Sequence, residues 1–352
     1  MSGLSLYSFA VDTPATATQQ WLDHFDTTGT TATLQHLGST PVIVAHGPGT
    51  ETPAPDNLVA PVAVVAAGGD FRLGRRELRP EGTVVRVGGA TVGDGSLNVF
   101  AGPCAVENRQ QLLDCADVAE HYGAVGLRGG AFKPRTSPYS FQGLKWAGLE
   151  LLAEARAHTG LPILTEVLDP RHVERVAATA DGLQIGARNM QNFELLSEAG
   201  KSGRPVVLKR GFGCTVDETL AAAEYILAQG NDQVILCERG IRTFEHATRF
   251  TLDISAVALM KQRSHLPVMV DPSHSVGIPA LVEPVSLAAA AAGADALLID
   301  VHVAPEQALC DGKQALLPDD FGVLMGKLEL LSMGLSRKLA GVVGAHAVLA
   351  ER

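Results

Sequence analysis

From Leu97 onward the chain keeps one rhythm: short, nearly continuous apolar runs alternate with amphipathic stretches long enough to be helices. The runs fall at 98–101, 125–127, 162–165, 182–185, 205–208, 233–236, 267–270 and 296–299, eight in all. A strand that is apolar on both faces has to be covered on both faces, which is the condition of parallel strands flanked by helices. Eight such units over roughly 240 residues is the size of a (β/α)₈ barrel. A doubly wound open sheet is the competing architecture. Eight even units without a glycine fingerprint favour closure, because Gly211-Phe212-Gly213 is too short to be a dinucleotide motif. The expected fold class is therefore α/β, a (β/α)₈ TIM barrel over residues 96–340.

The first 75 residues have a different pattern. A strand at 4–11, a helix to about Phe25 with Thr13 as N-cap and Pro14 at its first position, and strands at 31–37 and 41–45 come first. A short helix near 55–59 and a strand at 62–66 follow. That β-α-β-β-(α)-β order predicts a small ferredoxin-like α+β domain over 1–75, with no obvious reactive cluster. A packing or oligomerisation module is at least as good a reading of it as a regulatory one. Residues 76–95 read as a charged linker and a hairpin through 84–92, and 341–352 as a C-terminal tail.

With 28 basic and 38 acidic residues the net charge is −10, which disfavours a broad nucleic-acid surface and binding to an anionic membrane. The five cysteines are odd in number, scattered and without a Cys-x-x-Cys pair, so a disulfide framework is not expected and a cytoplasmic setting is. No signal peptide is visible, and the most apolar tract, 276–301, is broken by Pro279, Glu283, Pro284 and Asp295.

Nearly every run ends in a charged or metal-capable residue: Cys104, Arg128, Glu166, Arg188, Lys209, Glu238-Arg239, Asp271 with His274, and Asp300 with His302. In a barrel these ends share one rim, where active sites of this fold lie. Taken singly, Glu238 or Asp271 serves equally well as an anchor for neighbouring loops. The longest connection, 129–143, carries glycines and prolines together with Lys133 and Arg135, and its Phe132, Tyr139 and Phe141 give it something to bury. It reads as a rigid cradle for a phosphorylated substrate. The cations Arg128, Lys133, Arg135, Arg188, Lys209, Arg210 and Arg239 would repel one another unless an anionic ligand joined them. Isolated arginines are usually solvated, so Arg210 is the one expected to point away. A second group, Cys104, His274, Asp300 and Asp311, mixes thiolate, imidazole and carboxylate donors, as suits a divalent Mn, Fe, Co or Zn ion. Read alone, Cys104 is a buried small residue and His274 a loop histidine.

Gly102-Pro103-Cys104, Arg128-Gly129-Gly130 and the stretch from Lys133-Pro134-Arg135-Thr136-Ser137-Pro138 to Gly143 resemble the 3-deoxy-D-arabino-heptulosonate 7-phosphate (DAHP) synthases. So do Gln184-Ile185-Gly186-Ala187-Arg188-Asn189, Leu208-Lys209-Arg210-Gly211, Cys237-Glu238-Arg239-Gly240 and Val270-Asp271-Pro272-Ser273-His274. The resemblance is to the compact bacterial class with an N-terminal ferredoxin-like extension, and it covers essentially all of 95–325. It implies condensation of phosphoenolpyruvate with erythrose 4-phosphate, the entry step of the shikimate pathway, with a metal as Lewis acid. By matching motif positions, Arg128, Lys133, Ala187, Arg188, Lys209 and Arg239 would hold phosphoenolpyruvate, while Pro134, Arg135 and Thr136 with Lys133 would hold the sugar phosphate. Lys133, Glu166 and His274 are the implied catalytic groups, Lys133 moving protons and Glu166 orienting the attacking water. A homotetramer, and feedback by an aromatic amino acid at the small domain, are further implications.

Two departures stand out. The family pattern Ile/Val-Glu-Val-His is Ile299-Asp300-Val301-His302 here, a side chain shorter by about 1.5 Å of reach. Residues 275–280 also lack the paired basic residues usual there. Both suggest a diverged paralogue of a specialised pathway, with an atypical metal preference or affinity. The nearest enzyme alternative is a 3-deoxy-octulosonate 8-phosphate synthase, whose Lys-Ala-Asn-Arg-Ser loop contrasts with Lys133-Pro134-Arg135-Thr136. The non-enzyme alternative, a regulatory homologue without turnover, is opposed by the intact cation set.

Overall fold

The computed structural model describes residues 3–47, 50, 56–66, 70–135 and 137–341. At the N-terminus, β1 (Leu4–Ser8), α1 (Ala15–Thr27), β2 (Thr31–Leu37), β3 (Thr40–His46) and β4 (Ala63–Ala66) form a four-stranded antiparallel sheet in the order β2-β3-β1-β4. This is the strand order of a ferredoxin-like sheet. Strand alternation sorts its residues onto two faces. Tyr7, Ile43 and Ala45 pack with Trp21 and Phe25 of α1, while Leu6, Val42, Val44 and Val65 join the main core of the molecule.

Two local expectations are corrected. Thr13 does not cap α1: Pro14 itself holds the cap position in an extended conformation, no side-chain bond is made, and the helix starts at Ala15. Strand β1 stops at Ser8 rather than residue 11. Of the helix expected over 55–59, residue 55 lies outside the described residues and 56–58 form a turn.

A hairpin, β5 (Val85–Val87) and β6 (Ala90–Val92), leads into the barrel. Its eight parallel strands are β7 (Asn98–Gly102), β8 (Gly126–Arg128), β9 (Ile163–Glu166), β10 (Gly182–Ile185), β11 (Val206–Lys209), β12 (Val234–Glu238), β13 (Val268–Val270) and β14 (Ala296–Asp300). Each coincides with one of the eight apolar runs. The sheet closes where β14 pairs with β7, from Ala296 against Asn98 to Asp300 against Gly102. The open doubly wound sheet is thereby excluded.

Helices follow the strands in turn: α2 (Arg109–His121), α3 (Trp146–Thr159), α4 (Val173–Thr179), α5 (Phe193–Lys201), α6 (Val216–Leu227) and α7 (Ile254–Arg263). After β13 a five-residue helix α8 (Pro272–Val276) precedes α9 (Pro279–Ala291), and α10 (Pro318–Gly334) completes the ring. The barrel interior is a filled core. Phe100, Leu164, Val207, Ile235, Met269 and Leu298 form one buried cluster with Val85, Val87, Ala90 and Val92 of the hairpin. Val87 packs near Gly182 at the start of β10, Gly88 near Pro162 and Gly93 near Pro267, so the hairpin stops the end of the barrel where the strands begin. The other end is left for chemistry.

Candidate active site

That other end collects the polar strand termini. Arg128, Glu166, Lys209, Glu238 and Asp300 are the last residues of β8, β9, β11, β12 and β14. Each lies where a strand that is apolar on both faces first meets an open mouth, and each is buried. At the ends of β8, β9 and β11, beside Arg128, Glu166 and Lys209, opens a cavity of about 240 Å³. Its wall carries seven cations, Arg128, Lys133, Arg135, Arg188, Lys209, Arg239 and Arg249, against two carboxylates, Glu166 and Asp311. Pro134 and Ala187 line it too, whereas Thr136 lies outside the described residues. Arg210 turns away, bonding Glu238 at 2.9 Å and Asp253 at 3.1 Å. Glu238 thus acts as a loop anchor, also accepting from the Gly240 amide at 2.7 Å.

Three guanidinium nitrogens, Arg128 Nε, Arg135 Nη1 and Arg239 Nη1, are buried without a hydrogen-bond acceptor. A buried donor without a partner is costly, so this wall is complementary to an anion. Burial, helped by neighbouring Arg249 and Arg188 and opposed by Asp271, pulls the Arg239 guanidinium down to about 10. The same guanidinium lies over the rings of Phe212 and Phe250, 4.8 and 4.3 Å from their centroids.

The connection from 129 to 143 forms one side of the mouth. Phe132 is buried edge-on against Trp146 at 4.9 Å, and Phe141 packs on a small buried group of Cys104, Ala105 and Cys310. Tyr139, expected to be buried, is instead 96% exposed at the tip of the loop. Two anchors rather than three hold the loop. Lys133 Nζ is directed inward, donating to Cys104 O at 2.9 Å and standing 3.1 Å from Cys104 Sγ. Gly130 permits this approach: a Cβ there would lie 2.7 Å from Lys133 Cδ and 2.8 Å from Cys104 O.

Around Cys104 the metal-capable groups converge. Its Sγ lies 3.5 Å from His274 Nε2 and 3.2 Å from Asp311 Oδ2. Asp271 caps α8 by accepting from the His274 amide at 2.9 Å, and its carboxylate touches His274 Nδ1 at 3.0 Å and Lys209 Nζ at 2.5 Å. The other ring nitrogen is thereby left to face Cys104. Asp300 lies on the Nδ1 side at 3.4 Å, pairs with Arg128 at 2.9 Å, and accepts from Gln314 at 2.6 Å. Cys104, His274 and Asp300 each place one donor atom within 4.8 Å of the others, as do Cys104, Cys310 and Asp311. Soft and hard donors at this spacing fit a divalent transition ion.

The charges are mutually tuned. A hydrogen bond from the Cys310 thiol, and then Lys133 and His274, hold Cys104 well below the ordinary thiol range despite its burial. Burial opposes the His274 imidazolium, but Asp271, Asp300 and Cys104 outweigh it and raise the group to about 9. Burial lowers the Lys133 ammonium, and the Cys104 sulfur more than restores it. Glu166 is raised by burial, with Lys133 and Lys209 opposing.

Three residues at the site went unread in the sequence. Arg249 donates to Gln314 at 2.6 Å and to Asp311 at 3.3 Å; it lies in the β12–α7 connection, which carries no periodic signal. Phe212 was visible only as part of a short glycine pair. Cys310, one of five scattered cysteines, had Asp311 beside it as its sole clue.

Fold and mouth together define a class: a (β/α)₈ barrel enzyme with an anion-receiving wall beside a cluster of metal-capable donors. Comparisons with known proteins narrow it. Residues 80–331 match the model of the DAHP synthetase I family. A phospho-2-dehydro-3-deoxyheptonate aldolase of Thermotoga maritima is 51% identical over 269 residues, 76% of this chain and 80% of that protein. The crystal structure of the Thermotoga maritima phospho-2-dehydro-3-deoxyheptonate aldolase (DAHP synthase) superposes with a TM-score of 0.76 at 42% identity, covering 96% of this chain and 99% of that one. A 2-dehydro-3-deoxyphosphooctonate aldolase of Citrifermentans bemidjiense is 33% identical, over 70% of this chain and 96% of its own length. The chain belongs to the DAHP synthetase I family. Its reaction is DAHP formation, the chemistry of aromatic biosynthesis. Among the described residues no helix is long and apolar enough to cross a membrane.

Proposed function

We propose that the chain condenses phosphoenolpyruvate with erythrose 4-phosphate in a metal-dependent reaction, releasing DAHP and inorganic phosphate. The observation that carries this is the seven-to-two excess of cations in the mouth, with guanidinium nitrogens buried and unpaired, directly beside the Cys104 cluster. Two phosphates and a carboxylate are the anions such a wall suits. Arg128, Lys133, Ala187, Arg188, Lys209 and Arg239 hold phosphoenolpyruvate. Arg135, with Pro134 and Thr136, holds the sugar phosphate.

Cys104, His274 and Asp311, with Asp300 behind the imidazole, would hold a divalent ion, which when bound polarises the aldehyde as a Lewis acid. The C3 carbon of phosphoenolpyruvate forms a bond to the aldehyde carbon. Water adds at C2, and the C2–O bond to phosphate breaks. Lys133 Nζ, at the junction of cavity and cluster, delivers a proton to the aldehyde oxygen as charge builds there. Glu166 opposite Lys133 orients the water. The four-carbon sugar is favoured over a five-carbon one by the Lys133-Pro134-Arg135-Thr136 loop and by the higher identity to the heptonate enzyme, 51% against 33% for the octonate one.

Phosphate release is to be measured from phosphoenolpyruvate with erythrose 4-phosphate and, separately, with a five-carbon aldose phosphate, across Mn, Fe, Co and Zn. Turnover is expected with the four-carbon sugar and abolished by a chelator. Preference for the five-carbon sugar, or no phosphoenolpyruvate consumption with any pair, rejects the reading.

A further inference from the structure

Cys310 is buried at 3% exposure in the connection after β14, and its neighbours are the candidate ligands themselves. Its Sγ lies 3.9 Å from Cys104 Sγ and 3.4 Å from Asp311 Oδ2. Two sulfurs bound tetrahedrally to one ion at about 2.3 Å stand about 3.8 Å apart, and a sulfur and a nitrogen about 3.5 Å apart. The 3.9 Å sulfur pair and the 3.5 Å separation of Cys104 Sγ from His274 Nε2 match both spacings. Asp311 Oδ2 lies within 3.2 and 3.4 Å of the two sulfurs and 3.8 Å from His274 Nε2, so Cys104, Cys310 and Asp311 form one group of donors, and Cys104 and Asp311 join it to His274.

We propose that Cys310 is a second sulfur ligand of the metal, alongside Cys104, His274 and Asp311. Resting on the metal-dependent reading above, this deepens it by assigning a donor that neither the sequence motifs nor the family resemblance supplied. A small thiol filling space under Phe141 is the simpler role for Cys310. That role, however, asks only for apolar contact, and a methyl group would meet it. The position taken by Cys310 has instead a thiol and a carboxylate within hydrogen-bonding distance. The shortened Asp300 gives the proposal its room. Its carboxylate is engaged by Arg128 and Gln314 and lies at the opposite ring nitrogen of His274 from Cys104. Two thiolates on one ion soften the site, which shifts its preference from Mn towards Zn and Co.

The test uses the full-length protein, loaded with Zn under reducing conditions so that both thiols stay available. X-ray absorption at the Zn edge is expected to show two sulfur scatterers at about 2.3 Å. One sulfur or none overturns the proposal, and this measurement needs no variant to fold. In Co-loaded protein, Cys310→Ser is expected to reduce the thiolate-to-cobalt absorption to about half and to weaken Co binding by about tenfold or more. Absorption and affinity equal to those of the parent protein overturn the proposal as well. Turnover is assayed separately. Two bound sulfurs without condensation would reject the proposed reaction and leave the ligand assignment standing; condensation with one bound sulfur would do the reverse.

Discussion

A Cβ added at Gly186 would lie 2.0 Å from Glu166 Oε1, so the buried carboxylate keeps its place at the cavity wall only because residue 186 has no side chain. The sequence offered Gly186 merely as part of a motif; its reason is a close approach between β9 and the turn after β10 that no spacing reveals. Gly186→Ala should displace Glu166 while leaving its chemistry intact. Turnover is expected to fall on the order of 10²-fold, as for loss of a positioned acid–base group, with the melting temperature changed little. Steady-state kinetics and a thermal melt on one preparation check this, and unchanged kcat would remove Glu166 from the mechanism. Other site residues were legible because position and type coincide. Arg128, Glu166, Lys209 and Asp300 each end an apolar run, and in a parallel barrel the end of a run is the mouth. Arg249 and Cys310 were not, since they lie in connections where a polar or small residue is the default.

Between the small sheet and the barrel, residues 73–83 are laced to the connection between α7 and β13. His265 is central to it. Its Nε2 donates to Leu73 O at 2.8 Å, its Nδ1 accepts from Thr83 Oγ1 at 2.7 Å, and its backbone amide donates to Gly74 O at 3.1 Å. The sequence read 76–95 as a charged linker and hairpin; a short 3-10 helix at Arg76–Leu78 lies within it, and side-chain bonds across 180 or more positions leave no local pattern. Burial lowers the His265 imidazole to about 4 from 6.5, with the Leu73 carbonyl opposing. The unfolded chain therefore takes up the proton first. The stability His265 contributes is complete above about pH 6.5 and is lost as pH falls towards about 4, a loss on the order of 3 kcal/mol. A His265→Gln variant, whose amide can still donate to Leu73, is expected to show a flatter melting temperature between pH 7 and 4.5 than the parent protein. Identical slopes would mean that the histidine is not buried neutral.

At the scale of the molecule, eight strands and the closing order were legible because each strand is covered on both faces. The small domain was legible because its residues alternate. How the two join was not. Leu6, Val42, Val44 and Val65 belong to the same core as Phe71 and Leu73. Arg79 reaches across from residue 79 to Leu37 O at 3.0 Å, Thr40 Oγ1 at 3.2 Å and Asp232 at 2.9 Å. Removing residues 1–66 should leave the barrel folded, since its strands and ring of helices are complete without them. The uncovered apolar surface is expected to lower the melting temperature by several degrees and to promote self-association. Circular dichroism and light scattering test both, and loss of the barrel's spectrum would show that the sheet is part of its core.

The hairpin that stops the lower end of the barrel makes the reaction vessel blind, with one doorway serving every molecule that enters or leaves. Traffic through such a doorway is last in, first out. In the proposed condensation, whatever settles deepest, against Arg128 and Lys209 at the strand ends, would be shut in by the molecule that follows it, and the product would have to clear the same doorway before the next turnover.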